Sequence, residues 1–228
     1  MARKFKPGPY NYCDYRCERC AERENCRVYK ENEERLLEHY LKGEDPNDPQ
    51  VFLNDLKEIF DKTKEMLKRV AAEQGIDLDE LPDEEIPEVD PHSYVIYNLA
   101  YEYFDQAHKL IKKLEKSGVP EEIEEEYDDF VWYHTLLVAK TGRLVSSFED
   151  EFFDAETRKG EEEGTLQVIN KGISLSKNAL QKMLNELPDD FQRIVDLLDI
   201  LKRLELQIKN NLREKVKQNL CETEESGV

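Results

Sequence analysis

The sequence predicts an all-α fold, a bundle of about six helices that carries a four-cysteine metal-binding loop at its N-terminal end. Apolar residues recur at three- and four-residue spacing in six separate segments, and glycine or proline stands at most of the segment ends. No stretch alternates convincingly between apolar and polar residues, as a half-buried strand would. Four of the five cysteines fall within one short N-terminal stretch.

The first third of the chain is predicted to contain the cysteine loop, two helices and a linker. Residues 1–30 form the loop, and residues 31–75 form two shorter helices. These helices should end at Gly43 and Gly75, because glycine is favoured just past a helix C-terminus. Residues 76–91 are acidic and contain three prolines, which indicates a linker and the best candidate domain boundary.

Residues 92–220 are predicted to form a four-helix bundle. One stripe of apolar residues continues from 120 to about 158, so we expect a single long helix there, with Gly142 as a close-packing point or mild bend. Residues 160–164 (Gly-Glu-Glu-Glu-Gly) are interpreted as the next connector. Residues 221–228 are expected to be a frayed tail.

The composition indicates a folded and highly charged protein. The chain has 228 residues and a net charge of -19, yet 39% of its residues are hydrophobic and 9% are aromatic. This apolar content is too high for a disordered acidic chain. No apolar run approaches the roughly 20 residues of a membrane span, and the N-terminus lacks the apolar region of a signal peptide. We therefore expect a cytoplasmic protein.

Charge is distributed unevenly along the chain. Residues 1–30 contain eight lysines and arginines against four acidic residues, so the remaining chain carries 25 basic and 48 acidic residues. A body this negative repels a phosphate backbone, so nucleic acid is not an expected partner. A protein redox partner of basic charge or an adaptor target fits the charge better. The oligomeric state is left open.

The cysteines follow the spacing C-x3-C-x2-C-x5-C, with Cys13, Cys17, Cys20 and Cys26 as the candidate ligands. Thiols this close in an intracellular chain point to a metal centre rather than to disulfides. Structural zinc is usually held by two separated pairs of cysteines, whereas compact four-cysteine runs are typical of iron-sulfur clusters. The spacing therefore favours a [4Fe-4S] cluster, with zinc as the alternative. Cys221 is isolated and is interpreted as a bystander.

Parts of this run resemble known cluster-binding loops. The segment Cys17-x2-Cys20-x5-Cys26 resembles the loop of endonuclease III-type glycosylases, and it is similar to the trailing cysteines of WhiB-type regulators and Cas4-type nucleases. The resemblance implies a [4Fe-4S] cluster. The leading cysteines also resemble the radical-SAM signature, but Arg19 stands where that family prefers an aromatic residue. The opening further resembles a set of uncharacterised bacterial proteins with the same N-terminal cysteine run. These resemblances cover only the loop, so they name a cofactor and not an activity.

Four arginines alternate with the cysteines, and two interpretations of them stay open. Their guanidinium groups could offset the negative charge of a thiolate-bound cluster and donate hydrogen bonds to sulfur. They could equally be ordinary solvated charges. The residues are Arg16, Arg19, Arg23 and Arg27.

The histidines suggest weaker candidate sites in the bundle. Asp105 and His108 come nearest to the Glu-x-x-His motif of di-iron bundles, but their helical phase places them on the surface. His134 lies on the apolar stripe, either as a hydrogen-bonded core histidine or as a ligand or proton carrier, with Glu205 as a speculative partner. His39 is expected to face solvent.

Three hypotheses of function follow, and whether the protein is an enzyme stays open. The first is a [4Fe-4S] protein that transfers electrons or senses oxidants through a partner. The second is a scaffold or adaptor whose N-terminal segment is held in place by zinc or by a purely structural cluster. The third is a metalloenzyme that uses the bundle interior. The sequence contains no phosphate-binding loop, dinucleotide fingerprint, zinc-protease motif or hydrolase nucleophile elbow.

Overall fold

A computed structural model describes residues 12–78, 89–148 and 154–225, with side chains described as far as residue 210. This part of the chain contains six α-helices and no strand, so the all-α prediction is confirmed. The helices are α1 (Arg27–Lys42), α2 (Pro49–Gln74), α3 (Val95–Ser117), α4 (Glu124–Phe148), α5 (Ala155–Glu186) and α6 (Phe191–Glu225).

The chain divides into two compact units, which are described separately. The first unit comprises Met1–Asp14 with Val89–Val228, and the second comprises Tyr15–Glu88. Helices α3 to α6 therefore belong to the first unit, and α1 and α2 belong to the second.

In the first unit, helices α3 to α6 form a closed four-helix bundle. Each helix packs against the next one along the chain, and α6 packs back against α3. The core between them is apolar and contains few polar side chains, because each helix turns its apolar stripe inward. Its fully buried large side chains include Tyr103, Phe130, Leu137, Leu180 and Leu197.

The boundary between α4 and α5 corrects two predictions. The single helix predicted over 120–158 is wrong, because α4 ends at Phe148 and α5 begins at Ala155. The Asp154 carboxylate caps α5 by accepting hydrogen bonds from the backbone N–H groups of the first turn. The connector predicted over 160–164 is also wrong, since these residues lie within α5 and both of their glycines are buried.

Two glycines mark close contacts between helices of the bundle. A methyl group on Gly172 of α5 would lie 3.0 Å from Leu137 Cδ2 and 3.2 Å from Tyr133 Cδ1, both on α4. A methyl group on Gly142 of α4 would lie 3.3 Å from the ring of Tyr97. The interpretation of Gly142 as a close-packing point is therefore confirmed. Gly172 is the tighter of the two positions.

The second unit contains α1 and α2, which end at Gly43 and Gly75 as predicted. Both glycines adopt the left-handed conformation, with φ of 73° and 71°. The helix predicted to begin at 31 starts earlier, at Arg27, directly after the last cysteine of the loop.

Parts of four predicted segments lie outside the described residues, including 1–11 of the loop and 149–153 of the helix predicted over 120–158. The structure describes the predicted linker over 76–91 only at 76–78 and 89–91, and it does not describe 226–228 of the predicted tail. Helix α6 continues past the predicted end at 220 and reaches Glu225. Among the described residues, no helix combines the length and the apolar character that crossing a bilayer requires.

Candidate metal centre

The candidate ligands occupy consecutive turns of the chain between residues 13 and 26. Cys17 begins a 3-10 turn, Cys17–Arg19, and the backbone N–H of Cys20 closes this turn on the Cys17 carbonyl. A second 3-10 turn, Arg23–Asn25, is closed in the same way by the N–H of Cys26. Cys13 belongs to the first unit, and the other three cysteines belong to the second.

All four cysteines are reduced thiols and half-buried. Within the described parts of the chain, the structure brings no three cysteine, histidine, aspartate or glutamate side chains together as a group that could hold a metal ion. The chemistry of the four thiols still fits a thiophilic centre, whose ligands are commonly drawn together only when the metal binds.

Asp14, next to Cys13, anchors the start of the loop to the bundle. Its buried carboxylate accepts a hydrogen bond from the Tyr133 hydroxyl, with an O–O distance of 2.5 Å. The Lys171 ammonium lies 2.6 Å from the same carboxylate oxygen. The Trp132 indole N–H donates to the Asp14 carbonyl at 2.8 Å. Side chains from both α4 and α5 therefore fix the position of the residue beside Cys13.

A partly buried cation also lies close to Cys13. Burial lowers the pKa of Lys140, and the neighbouring Arg143 guanidinium acts in the same direction. Negative charge on Cys13 and Asp14 has the opposite effect and favours the charged ammonium. Lys140 is thus a partly buried cation in the charge environment of Cys13.

The arginines of the loop differ in their surroundings. Arg16 is only 5% exposed, and its Nε lies 2.5 Å from a carboxylate oxygen of Glu18. Arg19, Arg23 and Arg27 are exposed. Burial of a guanidinium group is unusual for a merely solvated charge, so Arg16 differs from the other three. Arg23 and Arg27 pair with neighbouring glutamates, Glu24 and Glu31.

The first turn of α1 has basic but no acidic side chains, and its Arg27 pairs with Glu31 one turn later at 2.6 Å. Cys26 is the N-cap residue of this helix, and the basic residues of the first turn are Arg27 and Lys30. The helix dipole places further positive charge at this end, where acidic side chains are normally favoured. Cys26 therefore lies at the positive end of the α1 dipole.

Tyr15, between the first two cysteines, adopts a strained backbone conformation. Its φ of 61° makes it the one residue other than glycine with positive φ in the described part of the chain. This conformation costs roughly 1–2 kcal/mol for a residue with a Cβ atom. Strain of this size persists where the surrounding structure enforces it, commonly at functional sites.

The His108 and His134 rings stack with centroids 6.0 Å apart, but among the described residues they join no group that could hold a metal ion. The His134 ring is buried, donates its Nδ1–H to the Val131 carbonyl, and stacks on Phe104 with centroids 5.5 Å apart. Burial lowers its pKa. The proposed partner, Glu205, instead binds two lysines of the bundle surface. Asp105 and His108 are exposed, as predicted.

The prediction that His39 faces solvent is wrong. Its ring is 7% exposed and bonds two carboxylates, with Nδ1 2.8 Å from Glu44 and Nε2 3.0 Å from Asp55. These hydrogen bonds raise the pKa of His39, the bond to Glu44 more than the bond to Asp55. His39 thus joins α1 to α2 through its hydrogen bond to Asp55.

Sequence reasoning did not identify the residues that hold Asp14 in place or that carry charge near Cys13. These are Asp14, Tyr133, Lys140 and Lys171. The segment around Tyr133 did signal burial, because it is nearly uncharged and lies on the apolar stripe. No sequence pattern pairs Asp14 with side chains more than a hundred residues away.

The four cysteines of the C-x3-C-x2-C-x5-C run are half-buried, and they are divided between the two units of the chain. Comparisons with protein-family models, with curated proteins and with solved structures found no match for this chain.

Proposed function

We propose that Cys13, Cys17, Cys20 and Cys26 bind one [4Fe-4S] cluster and that the protein transfers electrons or senses oxidants through a protein partner. The observation that carries the proposal is the run of four reduced, half-buried thiols at C-x3-C-x2-C-x5-C spacing. A cluster of this type accepts and releases one electron at a potential that its protein surroundings determine.

The charges around the thiols favour a redox-active cluster over a centre that does not change its redox state. Four thiolates leave net negative charge on a cluster, and nearby positive groups stabilise the reduced, more negative state. Lys140 beside Cys13 and the positive N-terminus of α1 at Cys26 are such groups. Both would raise the reduction potential relative to a loop without them.

The acidic body of the protein supports docking to a basic partner. The chain carries a net charge of -19, and the excess of acidic residues lies beyond residue 30. Complementary charge accelerates encounter with a positively charged protein, and this effect weakens as ionic strength rises.

A structural centre is the second candidate, and the anchoring of Asp14 favours it. Contacts from Tyr133, Trp132 and Lys171 already hold Asp14 on the bundle, and a zinc ion or a redox-inert cluster bound by the cysteines would constrain the N-terminal segment further. The protein would then act as a scaffold or adaptor.

Reversible redox cycling separates the two candidates. The anaerobically purified protein is titrated with dithionite and then with a mild oxidant, and its visible absorption and electron paramagnetic resonance are followed. Electron transfer predicts a band that bleaches and returns, with a potential that falls in the Lys140→Gln variant while iron content is unchanged. A centre that cannot be reduced and reoxidised, or that contains zinc, would support the structural candidate.

A further inference from the structure

Helix α2 (Pro49–Gln74) exposes a regular apolar face. One row of this face follows alternating spacings of three and four residues, and a second row repeats every seven residues beside it. This is the pattern of a helix that packs against other helices along three turns or more. The first row is Leu53, Leu56, Phe60, Thr63, Leu67 and Val70, and the second row is Phe52, Ile59 and Met66.

Within the part of the chain that the structure describes, the side chains of this face are largely exposed. Its eight large apolar side chains are between 36% and 64% exposed. Together they offer roughly 600 to 800 Å² of apolar surface, close to what one partner contributes to a specific interface of about 1,600 Å² in total. Exposed apolar surface of this extent marks an interaction site.

The charges of α2 identify the partner. Its first half, residues 49–61, contains three acidic residues and one lysine, whereas residues 62–74 contain four basic and two acidic residues. The two halves therefore carry net charges of -2 and +2. Two copies of α2 in antiparallel orientation bring each negative half against a positive half. The helix as a whole is neutral, so the contact between two copies of α2 adds no net like-charge repulsion of its own.

We propose that α2 is a self-association surface, through which two copies of this chain form an antiparallel dimer about a two-fold axis. The apolar rows of both copies form the centre of the interface, and the oppositely charged halves set the orientation. The proposal does not depend on what the cysteines bind.

The first test removes the apolar face. The full-length chain is examined by size-exclusion chromatography with light scattering, where a dimer has twice the 26.9 kDa mass of the chain. The double variant Phe60→Glu with Leu67→Glu should elute as a monomer with unchanged helix content by circular dichroism. The matched control Leu206→Glu, at a 51% exposed leucine on α6, should remain a dimer.

A wild-type chain that is monomeric at about 100 μM, where weak specific dimers are populated, overturns the proposal. Co-sedimentation of that monomer with anionic phospholipid vesicles would assign the face to a membrane surface instead. A dimer that persists in the Phe60→Glu, Leu67→Glu variant also overturns the proposal, because its interface must then lie elsewhere.

The second test addresses the antiparallel orientation with a variant that keeps the apolar face intact. Glu58→Lys with Asp61→Lys makes both halves of α2 positive, so an antiparallel dimer should weaken by about tenfold or more at low salt and recover in part at high salt. In a parallel dimer, like-charged halves already face one another, and the same substitutions would leave the affinity unchanged. Unchanged affinity therefore rules out the antiparallel arrangement.

Discussion

The contact between Tyr133 and Asp14 gives the most direct test of how the residue beside Cys13 is held on the bundle. Tyr133→Phe removes one hydroxyl group and keeps a ring that is 1% exposed. The change deprives the buried Asp14 carboxylate of its hydrogen bond at 2.5 Å, while Lys171 remains beside it. None of the four cysteines is altered.

The expected loss of stability follows from the burial of both partners. A hydrogen bond to a charged group contributes about 1.5–3 kcal/mol. Lys171 is 53% exposed, so its ion pair is screened by water and compensates for little of the loss. We therefore expect Tyr133→Phe to lower the free energy of unfolding by about 2 kcal/mol. The same substitution at Tyr101, which is 47% exposed, should change it by less than about 0.5 kcal/mol.

The assay is urea denaturation followed by circular dichroism, with Asp14→Asn and the double variant completing a thermodynamic cycle. The coupling energy between the two positions should be about 1–2 kcal/mol, because the side chains are in contact. Additive effects of the two substitutions would show that Tyr133 does not hold Asp14, and the anchoring account would fail. Metal content should be the same in Tyr133→Phe as in the wild type.

Three further predictions concern packing and pH. Gly172→Ala should destabilise the protein by about 1–3 kcal/mol, because its methyl group meets tightly packed core side chains. Gly142→Ala should change the free energy of unfolding by no more than about 1 kcal/mol, since the added methyl group meets a half-buried ring that can shift. If urea denaturation showed equal losses for Gly172→Ala and Gly142→Ala, Gly172 would not be the tighter position. The pKa of His39 is raised, so its stabilisation of the α1–α2 contact is fully present below about pH 6.5 and is lost as pH rises through the higher folded pKa. An NMR titration of the ring checks this, and a midpoint at or below that of a free histidine would refute it. The pKa of His134 is lowered, so the unfolded chain binds its proton first and stability falls as pH drops below about 6.5. This loss of stability at acidic pH should disappear in the His134→Phe variant. If the variant still loses stability below that pH, another group is responsible.

The sequence was sufficient to predict the bundle because the apolar stripes of α3 to α6 are long and regular. The break between α4 and α5 was missed because the stripe appeared to continue beyond Phe148. The signal that could have revealed it is Asp154, a good N-cap residue directly before α5. Gly160 and Gly164 were misinterpreted as a connector, since glycines buried within a helix look in sequence like those of a turn.

The spacing of the cysteines was enough to name the candidate ligands. The contacts that hold the neighbouring residues in place could not be predicted from the sequence. Asp14 forms an ion pair with Lys171, which is far away in the sequence. Contacts of this kind produce no repeating pattern in a single sequence. The burial of His39 likewise depends on Asp55, which belongs to the next helix. Local patterns predict helices and cysteine motifs, whereas tertiary pairing of isolated charges depends on packing.

The central claim is that four neighbouring cysteines hold one inorganic cluster, and elemental analysis of the anaerobically purified chain tests it most directly. A [4Fe-4S] centre predicts about four iron and four acid-labile sulfide per chain, with a broad visible band that bleaches on reduction. Cys20→Ser should lose most of this iron, and Cys221→Ser should keep it. A colourless protein that contains about one zinc ion per chain, or no metal at all, would contradict the claim.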